Sequence, residues 1–244
     1  MIDATIFKHN INKLTEFRIR QIVHYVVYCY LQILADKKRY NYAVKGKIAK
    51  EEFLRNGLVN DYLQKSYNKN YFKQHISDNP SAEITFHPEE TMTFIDPETK
   101  KPSTDKIDIA VWENILQSIW SGKTDDEIRF AIECKRIERL SDASNYTSDM
   151  EKFCNRNHVN TRLPFEGQIA FIENRNISHS ALCIKINHIL NKHISITTNS
   201  FLNPIALCEK FNGTYLSIHQ RNTSKSEFSI YHLLFDYTNI IKQV

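Results

Sequence analysis

The order of helical and strand-like segments predicts an α/β protein: a central mixed sheet flanked by helices, with an N-terminal helical extension. Three observations carry that reading. Apolar residues recur at helical spacing over residues 14–34, short β-branched and aromatic runs begin at Ala82, and a helical pattern over 145–154 is followed by an apolar strand over 168–172. Helix, three antiparallel-type strands, helix, strand is the order of neither a bundle nor a sandwich. No repeat, low-complexity tract or linker divides the chain, so one continuous domain is expected, with residues 1–49 as extension and 50–244 as core.

Composition sets the outer bounds. A chain of 244 residues buries roughly 70–75% of its unfolded surface and needs no disulfide or metal staple. The hydrophobic fraction of 41% beside 25% charged residues excludes a disordered or collagen-like polymer. A net charge of +4 permits a nucleic-acid partner without requiring one. With only 5 glycines, a glycine-rich phosphate cradle is nearly excluded. The five cysteines (Cys29, Cys134, Cys154, Cys183 and Cys208) lack zinc-knuckle or redox spacing, and are read as buried free thiols of a reducing cytoplasm. The most apolar run, 22–35, contains His24 and Gln32 and is too short for a membrane span. The chain also lacks the basic-then-apolar order of a secretory signal, so a cytoplasmic location with no membrane partner is the expectation.

The first helix carries Phe17, Ile22, Val26, Tyr30 and Ile33 on its stripe, with Thr15 as candidate N-cap. Residues 37–50 then hold six basic residues and no acid, with Tyr40 and Tyr42 between them. Such a segment can track a nucleic-acid backbone, or simply be a solvated helix end. A second helix over 51–64 aligns Leu54, Leu58 and Tyr62, and Gly57 weakens it without breaking it. Residues 84–86 and 92–95 read as two strands separated by Pro88 and closed by Pro97. Strands over 106–112 and 128–137 are joined by a turn at Ser121-Gly122-Lys123. In the next helix Tyr146, Met150 and Phe153 share a face. A helix over 180–192 and two late strands, 214–219 and 228–235, complete the pattern.

Chemistry concentrates where charge interrupts two apolar strands. Asp108 lies within Ile107-Asp108-Ile109-Ala110-Val111, and Glu133 and Lys135 within Ala131-Ile132-Glu133-Cys134-Lys135. Interior strands seldom carry charge, because an unpaired buried charge is costly. Residues i and i+2 of a strand share a face, so Glu133 and Lys135 point one way while Cys134 packs on the other. Two carboxylates with a lysine beside them suit a hard cation such as Mg²⁺, which binds through one or two carboxylates and keeps its remaining sites for water and phosphate. Asp108 and Glu133 would be the ligands, joined by the backbone carbonyl of Cys134. Lys135 would orient or help deprotonate the attacking water, or neutralise charge growing on the phosphorane. The alternative is a buried ion pair that only shapes the sheet.

These residues make the chain resemble the PD-(D/E)xK nuclease superfamily, whose fold is restriction-endonuclease-like, over roughly residues 50–172. Asp108 matches the first-strand acid, and Glu133 with Lys135 the Glu-x-Lys of the next strand. Ile107 stands where the motif's proline would be, and Asp105 is the weaker candidate for the acid. The resemblance implies a Mg²⁺-dependent (or Mn²⁺-dependent) endonuclease that hydrolyses phosphodiester bonds, with DNA favoured over RNA as substrate. It also implies a glutamate from the helix before the sheet: Glu51 fits, with Glu52 its rival, and an acid complementing the helix dipole is the structural alternative. Gln168 sits where some relatives place a polar site residue. The layout of the late strands, with His219 and Arg221 on one face, is similar to small bacterial nucleases of anti-phage defence. The two side chains would contact phosphate or bond one another in the core. Two further readings accompany this one. The first is a catalytically inactive nuclease-fold subunit that binds nucleic acid or assembles with a partner. The second makes the apolar N-terminal helix a docking face for a protein such as an ATPase or helicase. No zincin histidine pair and no Gly-x-Ser-x-Gly occurs, so protease, esterase and zinc-hydrolase classes lack support.

Overall fold

The computed structural model describes residues 4–96, 99–120, 128–156 and 163–242. The first helix, α1, runs over Ala4–Ala35, and its stripe of Ile19, Ile22, Val23, Val26, Tyr30 and Ile33 is buried. Those side chains sit in the same core as the sheet, so this apolar face is occupied within the chain and is not a free docking surface. Two expectations change here. Thr15 is no N-cap: it lies within α1, where its hydroxyl donates to the Ile11 carbonyl at 2.7 Å and accepts from Trp120 Nε1 at 2.7 Å. Phe17 is 58% exposed and lies off the buried stripe.

After α1 the chain forms a short strand, β1 (Tyr40–Asn41), and helix α2 (Lys50–Leu58), which continues as a wider π-helical turn over Val59–Leu63. Gly57 has a packing role, since any side chain there would collide with the ring of Tyr40. Helix α3 (Ser66–Tyr71) follows, and the sequence pattern does not announce it. The two strand runs around Pro88 form one strand, β2 (Ile84–Ile95), antiparallel to β3 (Pro102–Glu113). Proline is tolerated because β2 is an edge strand, where a missing N–H breaks little. Pro97 and the expected turn at Ser121-Gly122-Lys123 lie outside the described residues. Before that point the chain makes helix α4 (Asn114–Trp120), whose first turn is capped by Glu113: its Oε2 accepts from the Leu116 N–H at 2.6 Å.

Strand β4 (Phe130–Ile137) returns antiparallel to β3, and helix α5 (Ala143–Asn155) crosses over to β5 (Phe165–Ile172), parallel to β4. Helix α6 (His179–Leu190) begins at Ser178, whose hydroxyl accepts from the Ala181 N–H at 3.1 Å. Strands β6 (Thr198–Pro204), β7 (Thr214–Gln220) and β8 (Glu227–Asp236) complete the main sheet, and β9 (Ile241–Lys242) pairs in parallel with β1.

The seven strands lie in the order β2-β3-β4-β5-β8-β7-β6, mixed in direction. Every residue of β5 is buried, as a central parallel strand covered on both faces requires. One face packs against α1, α2 and α4, and the other against α5 and α6. The fold is therefore an α/β sheet flanked by helices with an N-terminal helix laid across it. All five cysteines are free thiols, and all but Cys208 are buried. Among the described residues no helix is long and apolar enough to cross a membrane.

Candidate active site

β3 and β4 pair only from Val111↔Phe130 to Ile109↔Ile132. Continuing that register by one residue would set Asp108 opposite Glu133, but there the strands part. The edge of β4 freed by this opening is capped by two carboxylates. Asp108 Oδ2 accepts from the Cys134 N–H at 2.9 Å, and Glu51 Oε2 accepts from the Arg136 N–H at 2.9 Å. In an extended strand the N–H and C=O of one residue point to the same edge, so the Cys134 carbonyl also faces this opening. The Cys134 side chain packs into the opposite core, and burial holds its thiol well above the ordinary range, which makes it inert.

Glu51 stands in the first turn of α2, and Arg55 one turn later. Arg55 Nη1 donates to Asp108 Oδ1 at 2.9 Å, and its Nη2 bridges Glu89 at 3.0 Å. Lys135 Nζ lies 3.4 Å from Glu51 Oε1 and 3.1 Å from Asp149 Oδ2 on α5. Glu133 is 2% exposed and is held by Arg156 Nη2 at 2.5 Å. Arg156 also reaches Asp105 at 2.6 Å and Glu166 at 3.1 Å, and Glu166 is shared with Arg221 at 2.8 Å. The opening thus brings together Glu51, Asp108, Glu133, Cys134 and Lys135. Of the rival helix acids, Glu51 is the one that reaches β4.

The electrostatics follow from burial and crowding. Burial pushes the Glu133 carboxyl up, to about 8, against the pull of Arg156; Asp108 and Asp149 push it further. On Arg156 burial works against the charge, yet Glu166, Glu133 and Asp105 overcome it and hold the guanidinium protonated. The two effects are compatible, because three carboxylates compete for two guanidiniums in this cluster. Burial also raises Glu51, as does Asp108, while Lys135 and the Arg136 N–H oppose the rise. Burial disfavours the Lys135 ammonium, but Asp149, Glu51 and Asp108 outweigh it and raise its pKa. Lys135 therefore stays charged at neutral pH.

A hard divalent cation fits the donor chemistry. Asp108, Glu133 and the Cys134 carbonyl offer oxygen only, in the small number suited to an ion that keeps several waters. Asp108 raises both neighbouring glutamates, but each of the three carboxylates already has a cationic partner (Arg55, Arg156 and Lys135), which a bound ion would have to share or displace. Among the described residues no three His, Cys, Asp or Glu side chains form a ready-made cage.

Other expected residues are placed elsewhere. Gln168 is mid-strand on β5, beside Glu133 in register and fully buried, with its Nε2 donating to the Tyr146 carbonyl at 2.7 Å. His219 and Arg221 do not face solvent. His219 is bonded through Ser217 to His232 (2.7 and 2.8 Å), and Arg221 donates to the Phe153 and Leu163 carbonyls and to Glu166. Sequence reasoning missed Asp149, Arg55 and Arg156. Asp149 had a visible signal, as an acid three residues after Tyr146 and four before Phe153 on the buried face of α5. Comparison of the chain with protein-family models, curated proteins and solved structures finds no match to any of them.

Proposed function

We propose that the protein is a metal-dependent nuclease of the restriction-endonuclease-like fold, hydrolysing phosphodiester bonds in nucleic acid, with DNA the favoured substrate. The observation that carries the reading is the parting of β3 from β4 at Asp108 and Glu133, with Lys135 two residues on. The order α2, α3, β2, β3, α4, β4, α5, β5 around that opening supports it. Asp108, Glu133 and the Cys134 carbonyl would hold Mg²⁺ or Mn²⁺. When bound, the ion lowers the pKa of its water and offsets charge on the phosphate. Lys135, kept as an ammonium by Asp149 and Glu51, orients the attacking water and stabilises charge developing on the phosphoryl oxygens. Arg55 steadies the carboxylate of Asp108, and Glu51 holds both Lys135 and the freed edge of β4.

The test is incubation of purified protein with supercoiled plasmid, linear duplex, and single-stranded DNA and RNA, in Mg²⁺, Mn²⁺ or EDTA. The proposal expects cleavage in the metals and none in EDTA; no product under any condition contradicts it.

One observation favours a second reading, a catalytically inactive nuclease-fold subunit that binds nucleic acid or assembles with a partner. Asp108 and Glu133 already have guanidinium partners at 2.9 and 2.5 Å, so their charges are satisfied within the chain. Calorimetry separates the two readings. Mg²⁺ or Mn²⁺ binding that Asp108→Ala abolishes supports the enzyme, and no metal binding even with nucleic acid present supports the subunit.

A further inference from the structure

The carboxyl ends of β4, β5 and β8 border a groove of ≈ 1290 Å³. In α/β sheets, ligands gather in crevices outside the carboxyl ends of parallel strands. Arg39, Lys45, Arg139, Arg175 and Lys242 line this one, and among the described residues none of the five lies within salt-bridge distance of a carboxylate. The two acids on the wall, Glu138 and Glu173, are both bonded to Arg136, each at 2.5 Å. The groove therefore has an uncompensated positive lining. The fold assembles it deliberately from distant pieces: β1 and β9 pair in parallel, bringing the basic segment after α1 beside Lys242.

The groove also adjoins the opening between β3 and β4. Lys50, on its wall, directly precedes Glu51. A chain of bonds joins the two places: Glu51 to the Arg136 N–H at 2.9 Å, Arg136 to Glu173 at 2.5 Å, and Glu173 to the Tyr42 hydroxyl at 2.5 Å. Three carboxamides, Asn174, Asn176 and Asn239, lie among the cations. Asn174 is held at both ends, its Nδ2 donating to the Glu138 carbonyl at 2.9 Å and its Oδ1 accepting from the Asn176 N–H at 3.0 Å, and Asn239 Oδ1 accepts from Arg175 at 2.9 Å. Among the described residues this leaves the Asn176 side chain and the Asn239 amino group to meet a ligand. Carboxamides carry both donors and acceptors, which suits exposed base edges and is unnecessary for a bare phosphate. The volume slightly exceeds that of a small-molecule pocket, as a few linked nucleotides of one strand would require.

We propose that this groove binds the single-stranded flank of a nucleic-acid substrate, phosphates on the groove's cations and bases against Asn176 and Asn239. The inference rests on the nuclease reading for the strand's path into the opening. Its binding step needs no metal and no catalysis.

The experiment is fluorescence anisotropy of a labelled single-stranded oligonucleotide, titrated in EDTA over a range of salt. Arg139→Ala/Arg175→Ala and Arg39→Ala/Lys242→Ala each remove two exposed cations of the groove. Lys192→Ala/Lys210→Ala removes the same charge from outside it. Each groove pair is expected to weaken binding about 10–100-fold and to flatten the slope of log affinity against log salt by about 1.4, two phosphate contacts' worth. The outside pair is expected to leave the slope unchanged. Wild-type slopes in both groove pairs, equal losses in the outside pair, or no binding by the wild type would overturn the assignment. Tighter binding of a blunt duplex with the same dependence on the groove would overturn its single-stranded character. Loss of cleavage alone, with groove-dependent binding intact, would count against the nuclease reading and leave the groove standing.

Discussion

Two charged clusters are built on the same strand, two residues apart, and their surroundings differ sharply. Glu133 belongs to a closed cluster in which the side chains of Arg156, Glu133 and Glu166 are at most 3% exposed and bonded at 2.5–3.1 Å. Lys135 belongs to an open one, with side chains of Lys135 and Glu51 22% and 28% exposed and the ion pair at 3.4 Å. A buried ionic network cannot lose a member cheaply, because the charge left behind stays desolvated. A half-exposed pair can exchange its partner for water or substrate at little cost. The closed cluster therefore sets the position of β4, and the open one presents charge to whatever enters the opening. Asp108 lies between them, raising the carboxyls on both sides.

The largest effect expected from breaking this arrangement is on the closed side. Arg156→Ala strands Glu133 and Glu166 and is expected to lower stability by about 3–5 kcal/mol, measured by chemical denaturation. An unchanged midpoint would show that the cluster is not structural. Acid gives the next effect. The buried chain Tyr146–His232–Ser217–His219 keeps both imidazoles neutral: burial lowers His219 to about 4, and burial together with His219 lowers His232. Only the unfolded chain takes up these protons, so the stability they contribute is complete above pH 6.5 and is lost as the pH falls towards 4. The two together predict a loss of about 4 kcal/mol between pH 7 and pH 5. A flat stability profile over that range, or a slope that His219→Gln leaves unaltered, would contradict the assignment. The smallest effect tests the choice of helix acid. Glu52→Ala is expected to change stability by no more than about 0.5 kcal/mol and to leave cleavage intact. Glu51→Gln, which removes the charge facing Lys135, is expected to slow cleavage about 10-fold. Equal behaviour of the two variants would put the wrong residue at the opening.

Much of the sheet could be read from periodicity, because β4, β5, β8 and the second half of β3 are apolar runs whose burial is local and strong. β7 is poorer in apolar residues, and the side chains it buries are Thr214, Ser217 and His219. β6 could not be read this way: Asn199, Asn203 and Pro204 have low strand propensity, and its place at the sheet edge comes from pairing with β7. Helix α4 was hidden for another reason, since its cap is Glu113, the last residue of β3 rather than a conventional N-cap. At the site, charges on apolar strands announced Asp108, Glu133 and Lys135. Their partners were less visible: Asp149 is marked only by its place on the buried face of α5, while Arg55 on α2 and Arg156 just after α5 depend on helix packing against the sheet that no local pattern specifies. His219 and Arg221 alternate as surface residues of a strand would. Arg221 is buried because the end of α5 and the segment before β5 cover it, and His219 because Thr198, Ser217 and Phe228 of the neighbouring strands enclose it, which are tertiary facts.

The contrast between the clusters gives Lys135 a distinctive signature. Its removal leaves Asp149 still paired with Lys152 at 2.8 Å, so Lys135→Ala should lower stability by no more than about 1 kcal/mol. The most direct measurement is the rate of plasmid cleavage by this variant in Mg²⁺ and in Mn²⁺, alongside its denaturation midpoint. The account predicts a rate at least about 100-fold below wild type, roughly 3 kcal/mol of transition-state stabilisation, with the fold intact. A folded Lys135→Ala protein that cleaves at the wild-type rate in both metals would contradict it.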